Sequence, residues 1–342
     1  MKRFRAGLVV GKFAPLHRGH EWLIDRAQAQ CDQLYLLSYS KPELPGCEPA
    51  RRQRWLVERF PAAISLVVTE ALVEQWRVEG RAIGSLPSNT APAEEHRQFV
   101  ARLCLSIWAV SVEAVFTSED YGDGFAAHLS REFGSLVTHV ELDRARANIP
   151  ISATRIRGDV HGHRDYLAAS VYADFVSRIC LLGGESSGKS TLAIALAKAL
   201  HCRYVPEYGR ERWEAQGGEL GYGDLLAIAC EQVRREDALA GQTNTYLVCD
   251  TSPLTTLFYC QHLFGRAEPA LREMADRTYQ QVLLCAPDFP FVQDGTRQGA
   301  DFRDLQHSWY GRALEQRAQP YHLLTGSVAS RVEQVLELLG IR

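Results

Sequence analysis

A short apolar run, a glycine-bearing turn and an amphipathic stretch follow one another twice along the chain. The first instance is Leu8-Val9-Val10, a turn from Gly11 to Arg18, and a helical periodicity from Glu21 to Gln30, with a second apolar run at Leu34 to Leu37. A strand, a crossover helix and a strand in that order pair in parallel. Further strands are predicted at Ile64 to Val68 and Ala114 to Thr117, a helix from Glu94 to about Val110, and a loop from Gly80 to Pro92. The second instance opens with Ile179-Cys180-Leu181-Leu182, passes a glycine-rich loop and enters an alanine- and leucine-rich helix from Thr191. Strands at Arg203 to Val205, Tyr246 to Cys249 and Gln281 to Cys285 follow, with helices at Asp224 to Ala240 and Val328 to Leu339. The duplication predicts an α/β protein of two tandem doubly wound parallel-sheet domains, Rossmann-like in front and P-loop-like behind.

At 342 residues the chain exceeds what one hydrophobic core usually organises. The passage through Gly158, Gly162 and the aromatic segment with Tyr172 and Phe175 puts the boundary near Val171, giving domains 1–170 and 171–342. Charge is balanced, 38 basic against 41 acidic residues, so no polycationic surface for generic nucleic-acid binding is expected. Nine scattered cysteines without a C-x-x-C pair argue against a disulfide framework or structural zinc and for a reduced, cytoplasmic protein. The basic start at Lys2, Arg3 and Arg5 precedes an apolar run, Ala6 to Val10, too short for a signal peptide. No segment has the apolar length of a membrane span, so no membrane partner is expected.

The sharpest chemical signal is Gly183-Gly184-Glu185-Ser186-Ser187-Gly188-Lys189-Ser190, the complete G-x-x-x-x-G-K-[ST] phosphate loop between a strand and a helix. Glycines let backbone N–H groups wrap phosphates, Lys189 brings a mobile cation, and the Ser190 hydroxyl is placed for Mg²⁺, with Thr191 next in the helix. ATP is the expected ligand. Asp250 closes the apolar strand Tyr246 to Cys249, where a Walker B carboxylate that organises Mg²⁺ belongs. Glu207 is a second carboxylate placed to take a substrate hydroxyl proton or hold ribose hydroxyls, with a salt bridge to Arg210 as the structural alternative. Asp294 to Arg303 has a lid's composition, with Arg297 and Arg303 expected to fold over the γ-phosphate.

An earlier segment, Gly11-Lys12-Phe13-Ala14-Pro15-Leu16-His17-Arg18-Gly19-His20, sets two histidines around a glycine at a helix start. Zinc ligation would need further ligands, and none is close in sequence. Two imidazoles and a helix N-terminus instead suit charge building on an α-phosphoryl group and departing pyrophosphate. No enzyme nucleophile is then required. Ile151-Ser152-Ala153-Thr154-Arg155-Ile156-Arg157 adds hydroxyls and guanidinium groups at another helix start.

The pair G-K-F-x-P-x-H-x-G-H and I-S-A-T-x-I-R resembles the nicotinamide-nucleotide adenylyltransferase branch of the HxGH nucleotidyltransferases. With the phosphate loop behind it, the chain resembles the NadR-type bifunctional family, adenylyltransferase in front and ribosylnicotinamide kinase behind. Arg52-Gln53-Arg54-Trp55, Phe116-Thr117-Ser118-Glu119, Glu207-Tyr208-Gly209-Arg210 and Asp294-Gly295-Thr296-Arg297 are weaker matches. The resemblance implies that Lys12, His17, His20, Ser152, Thr154 and Arg157, with Gly11, Phe13 and Gly19 of the same loop, bind ATP. It also implies the substrates ribosylnicotinamide and nicotinamide mononucleotide (NMN), the product NAD, and a homo-oligomer. The family usually carries a second aspartate two residues after the Walker B position, where this chain has Ser252, which leaves the catalytic base open between Asp250 and Glu207. Some members begin with a DNA-reading helix-turn-helix, whereas the first strand here starts within a few residues of Met1, so no nucleic-acid partner is expected.

Trp55, Trp76 and Phe291 are candidates to stack on a cationic nicotinamide ring. Two rival readings remain at this level: a kinase with a degenerate front domain, since residues 41–92 match the family poorly, and an ATP- and NAD-binding sensor without turnover.

Overall fold

The computed structural model describes residues 2–341 except 146, 294 and 296. The chain separates into two compact units, Met1–Asp174 and Phe175–Arg342. The division falls after Asp174 rather than after residue 170 for a physical reason. Val171 and Tyr172 are buried, and Asp174 accepts hydrogen bonds from Arg54 and, at 2.6 Å, from Trp55 Nε1, so this short segment belongs to the front unit.

The first unit holds β1 (Phe4–Val10), β2 (Cys31–Tyr39), β3 (Ile64–Val68), β4 (Ala114–Thr117) and β5 (Thr138–Glu141). All pairings are parallel, in the order β3-β2-β1-β4-β5. The chain turns back between β1 and β4, and ligands of open α/β sheets sit beyond the carboxyl ends of the strands at such a switch point. Leu8, Leu36, Leu37 and Val115 are fully buried, as central parallel strands covered on both faces require. Trp76 belongs to the core that includes Leu8, Phe99 and Val115, and Trp55 is fully buried, so both are packing residues and neither is a stacking platform.

The second unit holds β6 (Ser177–Leu182), β7 (Arg203–Val205), β8 (Tyr246–Asp250), β9 (Gln281–Cys285) and β10 (His322–Leu324). Again every pairing is parallel, in the order β10-β9-β6-β8-β7. Ile179, Leu181, Val248 and Leu283 join Leu192 and Leu196 of the helix Lys189–Ala199 in its core. The sheet pairs Leu181 with Asp250, which brings the end of the strand feeding the glycine-rich loop beside Asp250. Among the described residues no helix is long and apolar enough to cross a membrane.

Candidate functional site

In the first unit the helix Arg18–Gln30 starts at His17, whose Nδ1 accepts from the backbone N–H groups of Gly19 at 3.1 Å and His20 at 3.4 Å. His17 is therefore an N-cap that satisfies two otherwise orphaned donors, a task usually given to Ser, Thr or Asp. Its ring stacks on that of His20 at 3.7 Å, and His20 meets the edge of buried Phe13. Phe13 props the imidazoles from below, so its side chain is packing. The loop is held from two directions. Arg52, fully buried, donates to the Lys12 carbonyl at 3.2 Å and to Ser38 Oγ at 2.8 Å, and is paired with Glu43.

Arg157 reaches across from the helix Ala153–Gly158 to the Ala14 carbonyl and also donates to Thr154 Oγ1 at 3.0 Å. Ser152 caps that helix by accepting from the Arg155 N–H. The two motifs, far apart in sequence, thus meet at the end of β1. Partial burial and the nearby Arg157 lower the Lys12 pKa, with Glu119 acting in the opposite direction. Lys12 and Arg157 place two cations at this loop, with the Glu119 carboxylate near Lys12.

In the second unit a cavity of 620 Å³ is lined by Gly183, Glu185 to Thr191, Glu207, Arg210, Arg297 and residues of three helices. Gly188 (φ 81°) opens the helix Lys189–Ala199 in a left-handed conformation that a side chain would strain. Lys189 Nζ donates to the carbonyls of Gly183 and Gly184, at 2.8 and 2.9 Å, closing over its own loop. Glu185 is tied down by its N–H to Gln306 Oε1 at 2.7 Å, and its carboxylate accepts from Tyr259 Oη at 3.0 Å and from the Gln298 N–H at 2.8 Å.

Asp250 is almost fully buried, and its Oδ1 has no hydrogen-bond partner. Burial raises its pKa, while the Ser190 hydroxyl, Lys189 and Arg210 work to keep it ionised. Ser190 and Asp250 thus sit together, and a buried carboxylate oxygen without a partner suits a divalent cation. Glu207 faces the cavity itself, and its pKa is likewise raised by burial, with Lys189 opposing. Ser252, which stands where a second aspartate was expected, caps the helix Pro253–Phe264 by accepting from the Leu254 N–H at 3.2 Å. Its hydroxyl is engaged as a cap, and Glu207 is one of three glutamates, with Glu185 and Glu219, that line the cavity.

Not every expected residue lines this cavity. Arg297 does, but Arg303 is turned to the Phe289 carbonyl at 2.8 Å and lies over the Phe291 ring at 5.6 Å. Gly184 packs against the Arg303 backbone, and Phe291 pairs with Arg303 away from the cavity wall. Asp294 and Thr296 of the glycine-bearing lid segment lie outside the described residues.

Sequence reasoning missed Arg331 altogether. It is fully buried in the helix Val328–Leu338 and donates to the carbonyls of Ser187 (2.7 Å), Ala286 (2.9 Å) and Gly326 (3.0 Å) while pairing with Asp288. The available signal was a cation on a buried helical stripe, Arg331 one turn before Val335. Arg52 shows the same signal beside buried Trp55 and Leu56.

Similarity to known proteins agrees with this geometry. The profile of a family described as an AAA domain matches residues 178–331. The trifunctional NAD biosynthesis/regulator protein NadR of Escherichia coli (strain K12) is 28% identical, over 85% of this chain and 71% of its own length. Its counterpart from Salmonella typhimurium (strain LT2) is 27% identical, over 98% of this chain and 83% of its own. A crystal structure of a NadR protein in complex with NAD and AMP-PNP superposes with a TM-score of 0.69 at 20% identity, covering 100% of this chain and 98% of that one. A second, in complex with NR, gives 0.70 at 20% identity, covering 100% and 97%. The chain is thus similar to NadR proteins over nearly its whole length, and its two parallel-sheet α/β units have the fold of the solved NadR structures.

Proposed function

We propose that this chain is a bifunctional NAD salvage enzyme. The second unit phosphorylates ribosylnicotinamide to NMN with ATP, and the first transfers the adenylyl group of a second ATP to NMN, giving NAD and pyrophosphate. The observation that carries the reading is the shared wall of the 620 Å³ cavity, where the phosphate loop with Lys189 stands with a carboxylate, Glu207, facing the same space. The NAD-biosynthetic names of the relatives supply the substrate class.

In the kinase step the 5'-hydroxyl oxygen of the nucleoside attacks the γ-phosphorus, the bond to the β-γ bridging oxygen breaks, and ADP leaves. Glu207 accepts the hydroxyl proton, and the upward shift that burial gives its pKa makes the carboxylate a stronger base. Lys189 and the loop N–H groups of residues 183–190 hold the phosphates, and Arg297 lines the same cavity as a further cation. Ser190 and Asp250 would hold Mg²⁺, which neutralises phosphate charge when bound.

In the adenylyl step an oxygen of the NMN phosphate attacks the α-phosphorus of ATP, and pyrophosphate departs. The protein supplies no nucleophile. His20, Lys12 and Arg157 face the charge that accumulates, and His17 holds the helix N-terminus against the same anion. Nine free thiols support a reducing, cytoplasmic setting.

The test is product analysis by chromatography of the purified protein with MgATP and either ribosylnicotinamide or NMN. NMN with ADP from the first mixture, and NAD with pyrophosphate from the second, are expected. NMN without NAD would reduce the protein to a kinase with a silent front unit, and NAD binding without any turnover would make it a sensor.

A further inference from the structure

We propose that Gln232 reads a ring hydroxyl of the sugar in the second unit's cavity, making it a specificity-determining residue for ribosides. The proposal rests on reading this cavity as a nucleoside kinase site. The helix Tyr222–Ala240 turns Leu225, Ile228 and Gln232 to the cavity, a spacing that keeps them on one face. Gln232 is 2% exposed. Its Oε1 accepts from the Tyr208 N–H at 3.0 Å, and because only the oxygen of the amide can do so, the orientation of the side chain is fixed. The Nε2 group is then the free end, buried and without a hydrogen-bond partner in a wall of the cavity. Buried amide donors left unmatched are rare and costly, and one that lines a binding cavity is matched by an acceptor on the ligand.

The position of Gln232 says which part of the ligand that acceptor belongs to. Tyr208 anchors it next in sequence to Glu207. A Cβ built on Gly209 would lie 3.6 Å from Ile228 Cγ2 and 3.8 Å from Glu207 Oε1, so the Glu207 carboxylate and Ile228, one turn before Gln232, flank the same glycine. Glu207 in turn feels Lys189 of the phosphate loop. Gln232 therefore belongs to the end of the cavity where phosphoryl transfer occurs, and there the ligand presents its sugar. Trp213, Leu220 and Leu225 give the same lining apolar surface that suits the base. With Glu207 on the 5'-hydroxyl, Gln232 Nε2 donates to a neighbouring secondary hydroxyl.

Two variants separate this role from packing. Gln232→Glu keeps an oxygen for the Tyr208 N–H and removes the donor, and Gln232→Leu keeps bulk and removes both groups. Initial rates are measured with ribosylnicotinamide and its 2'-deoxy and 3'-deoxy analogues, with KM for ATP and thermal melting on the same preparations. Wild type should prefer the riboside over one deoxy analogue by at least about tenfold in kcat/KM. Both variants should lose that preference through the riboside alone, with KM for ATP within about twofold of wild type. A wild type indifferent to both hydroxyls, or variants that slow riboside and analogues by one common factor, would overturn the proposal. If wild type phosphorylates adenosine or uridine but not ribosylnicotinamide, the same comparison on that nucleoside tests Gln232, and only the nicotinamide assignment fails. Phosphorylation of no riboside overturns both.

Discussion

The guanidinium of Arg331 donates to the carbonyl of Ser187 at 2.7 Å, joining the last helix to the phosphate loop across 144 positions of sequence. Arg52 does the corresponding work in the first unit on the carbonyl of Lys12. In each unit a buried arginine fixes the backbone of the loop proposed to bind phosphate. Arg331→Lys retains one charge but loses the planar fork that spans three carbonyls. It should raise KM for ATP in the kinase reaction several-fold and leave adenylyl transfer unchanged, as steady-state kinetics of both reactions would read. Arg331→Met should lower the stability of the second unit by roughly 3 kcal/mol, because buried carbonyls and Asp288 lose their partner.

His17 and His20 are neighbours with different duties. His17→Ala removes a cap and should cost about 1 kcal/mol of stability together with adenylyl transfer, whereas His17→Asn restores the cap without the activity. His20→Ala should remove adenylyl transfer and leave stability nearly unchanged. Denaturant melts alongside NAD formation rates distinguish the three variants.

These assignments also show what a sequence reveals. The two βαβ starts were legible because strand, glycine turn and helix are local patterns, and β3 and β4 fall where short apolar runs place them. Short, half-exposed strands such as β5 and β10 carry too little apolar signal to be seen. The phosphate-loop motif and the two histidines stood out because a fixed spacing is visible in the sequence itself. Arg331 and Gln232 were not visible, and Arg52 stood out only within a weaker motif match, since each acts on a residue distant in sequence and only the tertiary fold brings the partners together. Ser252 was misleading for the same reason: measured against a motif it is a missing aspartate, and in the fold it is a helix cap.

Glu207 leads to a prediction about pH. As a base it acts when ionised, so kinase kcat/KM should rise with pH along an acidic limb displaced above 4.5, the ordinary glutamate value, because burial raises its pKa. Glu207→Gln should abolish that limb and lower kcat by about a hundredfold or more. A pH profile of the kinase reaction for both proteins checks this.

Glu236 governs stability rather than catalysis. It is fully buried, accepts from Tyr279 Oη at 3.1 and 3.2 Å and pairs with Arg277 at 3.1 Å, yet burial pushes its pKa from 4.5 to about 7. The folded state then holds a proton that the unfolded chain releases between pH 4.5 and about 7. Stability contributed by this group is full below that window, falls across it by roughly 3 kcal/mol and is constant above it. Glu236→Gln should flatten the dependence, as denaturant melts from pH 4 to 8 (approximately) would read.

The central claim is that two independent phosphate-binding sites act in series. The most direct test is to follow NAD formation from ribosylnicotinamide and from NMN in Lys189→Ala and His20→Ala. Lys189→Ala should make NAD from NMN at the wild-type rate and none from ribosylnicotinamide. His20→Ala should accumulate NMN from ribosylnicotinamide and make no NAD from either, and mixing the two variants should restore the full conversion. Loss of both reactions in one variant, or no restoration on mixing, would contradict the account.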